Sequence, residues 1–302
     1  MIDLSIVIPV YGQLHHLVNC LDSLAHTLPK EGGYEAVLVD DCSPDFDLRR
    51  LALAKGAKVF RTETNGGFAQ ACNLGAKAAE GGVLFFLNSD TIAHPGWYAP
   101  LLAAFADPKV GIVGPKLVFP PDWWCPQCRL YRGDPQERPL DPNDPSKGVQ
   151  TVCFVHSTPL ERVERIQSCG GLFDAGKGPF HRYLMWRADE PKANVPEPVS
   201  WVTGAAIAVR TGLFKELQGF DPGYIRGYFE DVDLAIRARK ADWVCQYEPR
   251  VTFTHLVGQS GTTAGPSDVE KARTFRANSE RFHRIHDDWI IPDDAGRRWV
   301  SY

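Results

Sequence analysis

No run of about 18 or more apolar residues occurs in the 302-residue chain, so no transmembrane helix is expected. The N-terminus has no basic n-region, no long h-region and no cleavage site, because the apolar run Leu4–Val10 begins almost at once. A secretory signal is therefore not expected. Basic charge is not in excess: 33 Lys and Arg stand against 37 Asp and Glu, for a net charge of −4. That balance argues against duplex nucleic acid as a partner, since phosphate contacts need a basic surface. Internal repeats and low-complexity tracts are also missing. What is present is an ordinary globular composition, 44% hydrophobic and 23% charged, long enough to bury a sizeable core. Eight cysteines are scattered along the chain. Without a secretory signal they read as mostly reduced thiols of a cytoplasmic protein.

The first 115 residues alternate between two periods. Leu4–Val10, Ala36–Val39, Ala57–Phe60, Val83–Leu87 and Val110–Val113 are short apolar runs that read as strands. Leu14–Leu24 carries apolar residues at helical spacing, and Phe68–Ala79 and Trp97–Phe105 also read as helices. This alternation predicts an α/β fold, a Rossmann-like parallel sheet with helices on both faces, whose ligands bind beyond the C-terminal strand ends. From Phe119 to about Arg165 the pattern breaks into a loop-like insert rich in Pro, Asp, Gln and Arg. Regularity returns at Val199–Arg210 and Thr211–Leu217, then in a helix at Asp231–Lys240. Strands follow at Val244–Tyr247 and Val251–Thr254, and a helix at Val269–Ile285. One domain over 1–302 is expected: a nucleotide-binding half (1–118), the insert (119–165), an acceptor half (166–265) and a C-terminal helix and tail (266–302).

Acidic residues sit where the strands end. Asp40 and Asp41 follow VLV, and Asp90 follows VLFFLNS. Each alone can be a helix or turn cap. Two such places on one edge of a sheet suit a hard divalent cation and a diphosphate, because Mg2+ and Mn2+ prefer carboxylate, water and phosphate oxygens. Glu230 and Asp231 open the helix after the aromatics Tyr228 and Phe229. A carboxylate there is either a cap helped by the helix dipole or a general base for an acceptor hydroxyl, and composition leaves both open.

Five stretches, taken in order, resemble family-2 glycosyltransferases of the GT-A fold, especially bacterial rhamnosyltransferase-like enzymes. They are SIVIPVYGQ at 5–13, VLVDDCSPD at 37–45, NGGFAQACNLGA at 65–76, FFLNSDTIAHPGW at 85–97, and VSWVTGAAIAVR at 199–210 followed by GFDPGYIRGYFEDVDLAIRARKADW at 219–243. The resemblance implies that Tyr11, after Pro9, packs on the nucleotide base. Asp41 would hydrogen-bond the base and Asp40 would shape that loop. Asn65 and Gly67 would pass under the nucleotide. Asn88-Ser89-Asp90 stands in place of the family's Asp-X-Asp motif, with Asn for the first Asp; Asp90 is the matching metal ligand, and His255 would reach the metal or the diphosphate. Gly204 would lie under the donor sugar. Asp231 matches the base of inverting members, with Glu230 beside it. The implied reaction is single displacement of a hexose or deoxyhexose from a UDP- or dTDP-sugar, with Mn2+ or Mg2+. The implied acceptor is a glycan or lipid-linked glycan of a cell-surface polysaccharide. Two rivals remain. A sugar nucleotidyltransferase would carry a Gly-rich, Lys- or Arg-containing loop after the first strand, which PVYGQLHH lacks. A non-catalytic binding module of the same fold would not need Asp90, Asp231 and His255.

Other features stand outside that pattern. Cys125-Pro-Gln-Cys128 and Cys153-Phe-Val-His156 have the spacing of a structural zinc site. Against zinc, Cys153–His156 reads as strand-like, which would point its two side chains apart. Trp123, Trp124 and Tyr131 either form a lid or sugar platform or cover core surface. His181 and Arg182 precede the acceptor loop, where Arg182 either meets phosphate or is solvated. The C-terminal helix is basic, with Arg273, Arg276, Arg281 and Arg284. It is either a solvated face or a peripheral contact with the inner face of the plasma membrane.

Overall fold

A computed structural model describes residues 2–44, 56–127, 130–132, 136–139, 149–153, 155–156, 158–174, 178–256, 268–287, 290–292 and 298–300. Strand β1 (Leu4–Val10) pairs in parallel with β2 (Tyr34–Asp40) on one side and β4 (Val83–Leu87) on the other, and β2 pairs in parallel with β3 (Lys58–Arg61). Their near-continuous apolar runs suit strands covered on both faces. Alternate residues divide between two cores: Val7, Val37 and Phe86 lie in one, Ile6, Ile8 and Phe85 in the other.

Helix α1 (Leu14–Thr27) buries Leu17, Cys20, Leu21 and Leu24, one helical stripe, against the second core. Helix α2 (Phe68–Ala78) buries Ala69, Ala71, Cys72, Gly75 and Ala76 against the first. Its small residues let it lie hard on the sheet. A Cβ on Gly75 would stand 2.4 Å from Val7 Cγ1. Helix α3 (Tyr98–Ala104) follows the short strand β5 (Thr91–Ala93). Just before α3, the fully buried Trp97 meets Phe85 and Phe253 at ring distances of 5.6 and 5.2 Å. Truncating such an aromatic costs about 3–5 kcal/mol.

The sheet is mixed, not chiefly parallel in its second half. Its order is β15-β17-β6-β16-β4-β1-β2-β3, where β6 is Val110–Val118, β15 Glu197–Pro198, β16 Ala206–Arg210 and β17 Val244–His255. Strand β16 runs antiparallel to both β4 and β6. Apolar patterning tells that a strand is buried but not its direction, which the connection decides. The two strands expected at Val244–Tyr247 and Val251–Thr254 are one strand with a register shift between Glu248 and Thr252. Pro249 lies within that shift, where no ladder hydrogen bond is needed from it.

The insert is not a loop throughout. Strands β7 (Asp122–Cys125), β8 (Leu130–Arg132) and β11 (Glu161–Val163) form a small antiparallel sheet, and β9 (Gln136–Pro139) pairs with β10 (Val149–Val152). After it, β12 (Ile166–Ser168) adds antiparallel to β6, and β13 (Gly171–Asp174) pairs with β14 (Gly178–His181). Helix α4 (Thr211–Glu216) leads towards α5 (Glu230–Lys240); α6 is Asp268–His286, and the strands β18 (Ile290–Pro292) and β19 (Arg298–Val300) pair after it. Among the described residues, no helix is long and apolar enough to cross a membrane.

Candidate functional site

The C-terminal ends of β1, β2 and β4 carry the carboxylates singled out in the sequence. Asp40 accepts from the backbone N–H of Ser43 at 2.9 Å and pairs with Arg61. It shapes its own loop. Asp41 accepts from the N–H of Gly66 at 2.9 Å, the N–H of Gly67 at 2.7 Å and the Thr62 hydroxyl at 3.0 Å. A buried carboxylate is thereby satisfied, and the turn leading into α2 is held against β2. The Ser43 hydroxyl accepts from Gly12 N–H at 2.9 Å, joining the β1 and β2 loops. Tyr11, 40% exposed after the partly buried Pro9, presents its ring to solvent beside that joint, and Asn65 is exposed on the loop that Asp41 holds.

Asn88-Ser89-Asp90 follows β4. The Asn88 N–H donates to the Ala205 carbonyl at 2.9 Å, and its carbonyl accepts from the Thr91 hydroxyl. Ser89 is partly exposed. Asp90 is buried; its Oδ1 lies 3.2 Å from His255 Nε2, and its backbone carbonyl accepts from Leu256 N–H at 3.0 Å. The pairing of β17 with β5, His255 opposite Thr91, brings these distant residues together. The second ring nitrogen of His255, Nδ1, lies 3.0 Å from Gln167 Oε1. An amide oxygen only accepts, so Nδ1 donates to Gln167 and Nε2 is the ring nitrogen left facing Asp90. Asp90 Oδ2 is buried with no hydrogen-bond partner among the described residues. An imidazole nitrogen and a carboxylate facing one another, with an orphaned carboxylate oxygen, fit a divalent cation.

Asp231 reaches the same edge from α5. Its Oδ2 accepts from Gly204 N–H at 2.7 Å and its Oδ1 from Val232 N–H at 2.8 Å. The cap reading is too small for it, because its main contact crosses to the loop before β16. Gly204 precedes Ala205, whose carbonyl holds Asn88, so one short loop links Asp231 to the Asn-Ser-Asp segment. A Cβ on Gly204 would meet the Phe68 ring at 3.2 Å, which keeps this position small. Glu230 is buried, with Oε2 unpartnered among the described residues. Burial first, then the charges of Asp231 and Asp233, push its carboxyl up to about 8. Burial also raises Asp231, against the N–H groups of Gly204 and Val232, which favour its anion. Glu230 is thus the protonated member of the pair at neutral pH, while the two N–H groups on Asp231 favour its anion. Cys72 on α2 lies between Glu230 and Asp41; burial, then those two charges, hold its thiol well above the usual range.

The loop before α5 covers Gly67. Gly67 has φ +80°, and a Cβ there would stand 2.6 Å from Arg226 Cα. Arg226, Tyr228 and Phe229 themselves hold positive φ, and Asn278 on α6 fixes the loop by bonding Ile225, Gly227 and Tyr228.

Several expectations change. Arg182 is neither solvated nor free for phosphate: it pairs with Glu197 and stacks on Tyr183 at 4.9 Å. His181 packs on Trp201 at 5.0 Å; burial, then neighbouring His255, depress its imidazole to about 4. Trp123 and Trp124 lie under the guanidinium groups of Arg162 and Arg187 at 5.1 and 5.8 Å, and Trp123 packs on a small buried cluster, so core cover fits it better than an open sugar platform. In α6, Arg281 binds Asp221 and His286 binds Asp233, whereas Arg273, Arg276 and Arg284 remain exposed. Residues 155 and 156 form a turn rather than a strand, and the Cys153 and His156 side chains both lie towards Cys125. Cys128 lies outside the described residues. Gln167, Thr62 and Arg61 carried no sequence signal of their own.

Residues 5–132 match the family described as glycosyl transferase family 2. The chain is 34% identical to polypeptide N-acetylgalactosaminyltransferase 10 of Rattus norvegicus across 98% of its own length and 45% of that protein. It is 27% identical to the pre-mycofactocin glycosyltransferase of Mycobacterium tuberculosis (strain CDC 1551 / Oshkosh) across 84% of its length and 42% of that protein. The chain thus spans less than half of these curated relatives. The fold is shared with GalNAc-T7, solved with UDP, GalNAc and Mn2+ (TM-score 0.66, 19% identity, 96% of this chain and 49% of that one). It is shared also with the mannosyltransferase PcManGT from Pyrobaculum calidifontis, solved with GDP-Man and Mn2+ (TM-score 0.54, 18% identity, 93% and 64%). The narrower likeness to rhamnosyltransferases is not carried by these relatives. The match over residues 5–132, the five motifs in order and the shared GT-A fold support a glycosyltransferase of the family-2 type.

Proposed function

We propose that the chain transfers a glycosyl group from a nucleoside-diphosphate sugar to an acceptor hydroxyl, with inversion at the anomeric carbon. The observation that carries this reading is the facing of Asp90 and His255, with Asp90 Oδ2 orphaned, on the edge that the Gly204 loop joins to Asp231. Asp90 and His255 would hold Mn2+ or Mg2+, which when bound offsets the charge developing on a departing diphosphate. Gln167 fixes the His255 tautomer. Asp231 takes the acceptor proton as the hydroxyl attacks, and the N–H of Gly204 keeps its carboxylate aimed. Neutral Glu230 adds no second negative charge beside it. Tyr11 offers a ring face for the base. Asp41 retains one lone pair, on Oδ2, for a base N–H beyond its three bonds, since each carboxylate oxygen accepts twice.

The GalNAc-T7 and PcManGT complexes, each with Mn2+ and a nucleotide or nucleotide sugar, support this reading. They do not select a base. The donor we favour is a UDP- or dTDP-linked hexose or deoxyhexose, and the acceptor a glycan or lipid-linked glycan of a cell-surface polysaccharide. The test is thermal melting against UDP, dTDP, GDP and CMP with and without Mn2+, followed by product analysis with the sugar of the base that binds. A midpoint rise that needs both Mn2+ and one nucleotide is expected, because a ligand of the folded state stabilises by mass action. No shift with any nucleotide would favour a module without donor binding. Retained anomeric configuration in the product would overturn Asp231 as base.

A further inference from the structure

We propose that Cys125, Cys153 and His156 bind a structural zinc ion that staples the insert, at a site separate from the Asp90–His255 edge. Cys125 ends β7, and Cys153 follows β10 directly. A turn follows each: residues 126–127 after Cys125 and 155–156 after Cys153. The two turns face one another, because the Thr158 hydroxyl donates to Gln127 Oε1 at 2.6 Å and Cys153 N–H donates to the Thr158 carbonyl at 2.9 Å. This closes the Cys153–His156 turn and points both its ligands at Cys125. The three ligand atoms lie within 4.8 Å of one another.

The distances discriminate among bonding schemes. His156 Nδ1 lies 3.8 Å from Cys125 Sγ and 3.7 Å from Cys153 Sγ. Zn–S bonds of about 2.3 Å and a Zn–N bond of about 2.0 Å at the tetrahedral angle set S···N at about 3.6 Å. Hydrogen bonding alone explains the cluster poorly: Nδ1 has one lone pair or one proton, yet two sulfurs converge on it. Neither cysteine is in a disulfide. The backbone N–H groups of His156 and Val155 are directed at the Cys153 sulfur. Backbone donors aimed at a sulfur favour the thiolate that zinc requires.

The insert also needs such a staple. Among the described residues, its own buried cluster is Cys125, Cys153 and Leu160, with Trp123 packed on it. That is too little apolar surface to hold short antiparallel strands by burial, and small units of this kind commonly rely on a metal. The expected occupant is zinc rather than a hard cation, because two thiolates and an imidazole are soft or borderline donors.

The inference does not depend on the transfer reaction. The experiment is zinc analysis of the full chain by inductively coupled plasma mass spectrometry after gel filtration, then replacement with Co2+ and absorption spectroscopy. About one zinc per chain is expected, with tetrahedral d–d bands and thiolate-to-cobalt charge transfer. The double variant Asp90→Asn, His255→Ala should keep its zinc, whereas Cys125→Ser and Cys153→Ser should each lose most of it. Zinc lost from the Asp90/His255 variant but kept by the cysteine variants would overturn the proposal. So would a wild-type chain that stays metal-free after zinc is supplied under reducing conditions. Should the cysteine variants fail to fold, the wild-type cobalt spectrum decides: absence of the charge-transfer band rejects thiolate ligation.

Discussion

Asp90 Oδ1 stands 3.2 Å from His255 Nε2, while Gln167 Oε1 stands 3.0 Å from Nδ1 on the far side of the same ring. The amide oxygen accepts from Nδ1 and leaves Nε2 facing the carboxylate. With a cation held by Asp90 and His255 as proposed, Gln167 would act on its binding without touching it. Gln167→Ala is expected to weaken Mn2+ binding by about 10–100-fold, the usual effect of removing such a partner. Gln167→Glu, which still accepts from Nδ1, should recover most of the affinity. Titration of free Mn2+ by electron paramagnetic resonance measures both. Equal affinity in wild type and Gln167→Ala would show that Gln167 does not orient His255.

Asp231→Asn retains an oxygen to accept from Gly204 N–H, so the loop should stay in place. It lacks a carboxylate able to take a proton. Loss of a general base lowers kcat by about 10²–10⁴-fold, and donor KM should change little, since Asp231 meets the acceptor side. Steady-state kinetics with the matched donor checks this. A variant with wild-type kcat would remove Asp231 from the mechanism.

Glu230 gives a stability prediction with a definite sign. Its folded pKa, about 8, lies above its ordinary value of 4.5, chiefly through burial and then Asp231. The folded state therefore holds a proton that the unfolded state releases between these values. Its contribution to stability is complete below about 4.5 and is lost as pH rises towards 8. Glu230→Gln cannot ionise. The variant should melt near wild type at pH 5 and a few degrees higher at pH 8 to 9, a gap that widens with pH. Calorimetry across that range reads it. A constant gap would mean that Glu230 titrates in the fold as it does in the unfolded chain.

The division between what could and could not be read beforehand has physical causes. Strands β1, β2 and β4 were legible because burial on both faces leaves an unbroken apolar run, and α1 because one face repeats at helical spacing. Asp40, Asp41 and Asp90 stood out because a charge at the end of an apolar run needs a reason, whereas Asp231, which opens a helix, was told from a cap only through the family resemblance. The direction of β16 was not, since an apolar run reads alike in either direction. Strand β17 was divided in two because Glu248 and Pro249 interrupt its pattern at a bulge. Cys153–His156 looked extended because Phe154 and Val155 are strand formers, yet residues 155 and 156 form a turn and Cys153 N–H bonds the Thr158 carbonyl. Gln167 was invisible because β12, three residues long, has no period to mark which side chain faces the site.

Gly67 offers the sharpest test of the packed edge. Its φ of +80° with ψ near 180° belongs to a region used almost only by glycine, and its N–H holds Asp41. A methyl group there would meet the Arg226 Cα at 2.6 Å, and backbone cannot rotate aside as a side chain can. Gly12 is the unhindered comparison: φ is also positive, +65°, but nothing lies within 4 Å of its Cβ position. Gly12→Ala should carry only the backbone strain, about 1–2 kcal/mol. Gly67→Ala adds a clash that must separate the Asp41 loop from the loop before α5, so its loss of stability should clearly exceed that of Gly12→Ala in urea titrations. Donor affinity should fall with it, because Asp41 loses the N–H that fixes its carboxylate. If the two variants unfold at the same urea concentration, with wild-type slopes, Arg226 does not sit on Gly67 in solution, and the loop before α5 is open rather than closed over the donor edge.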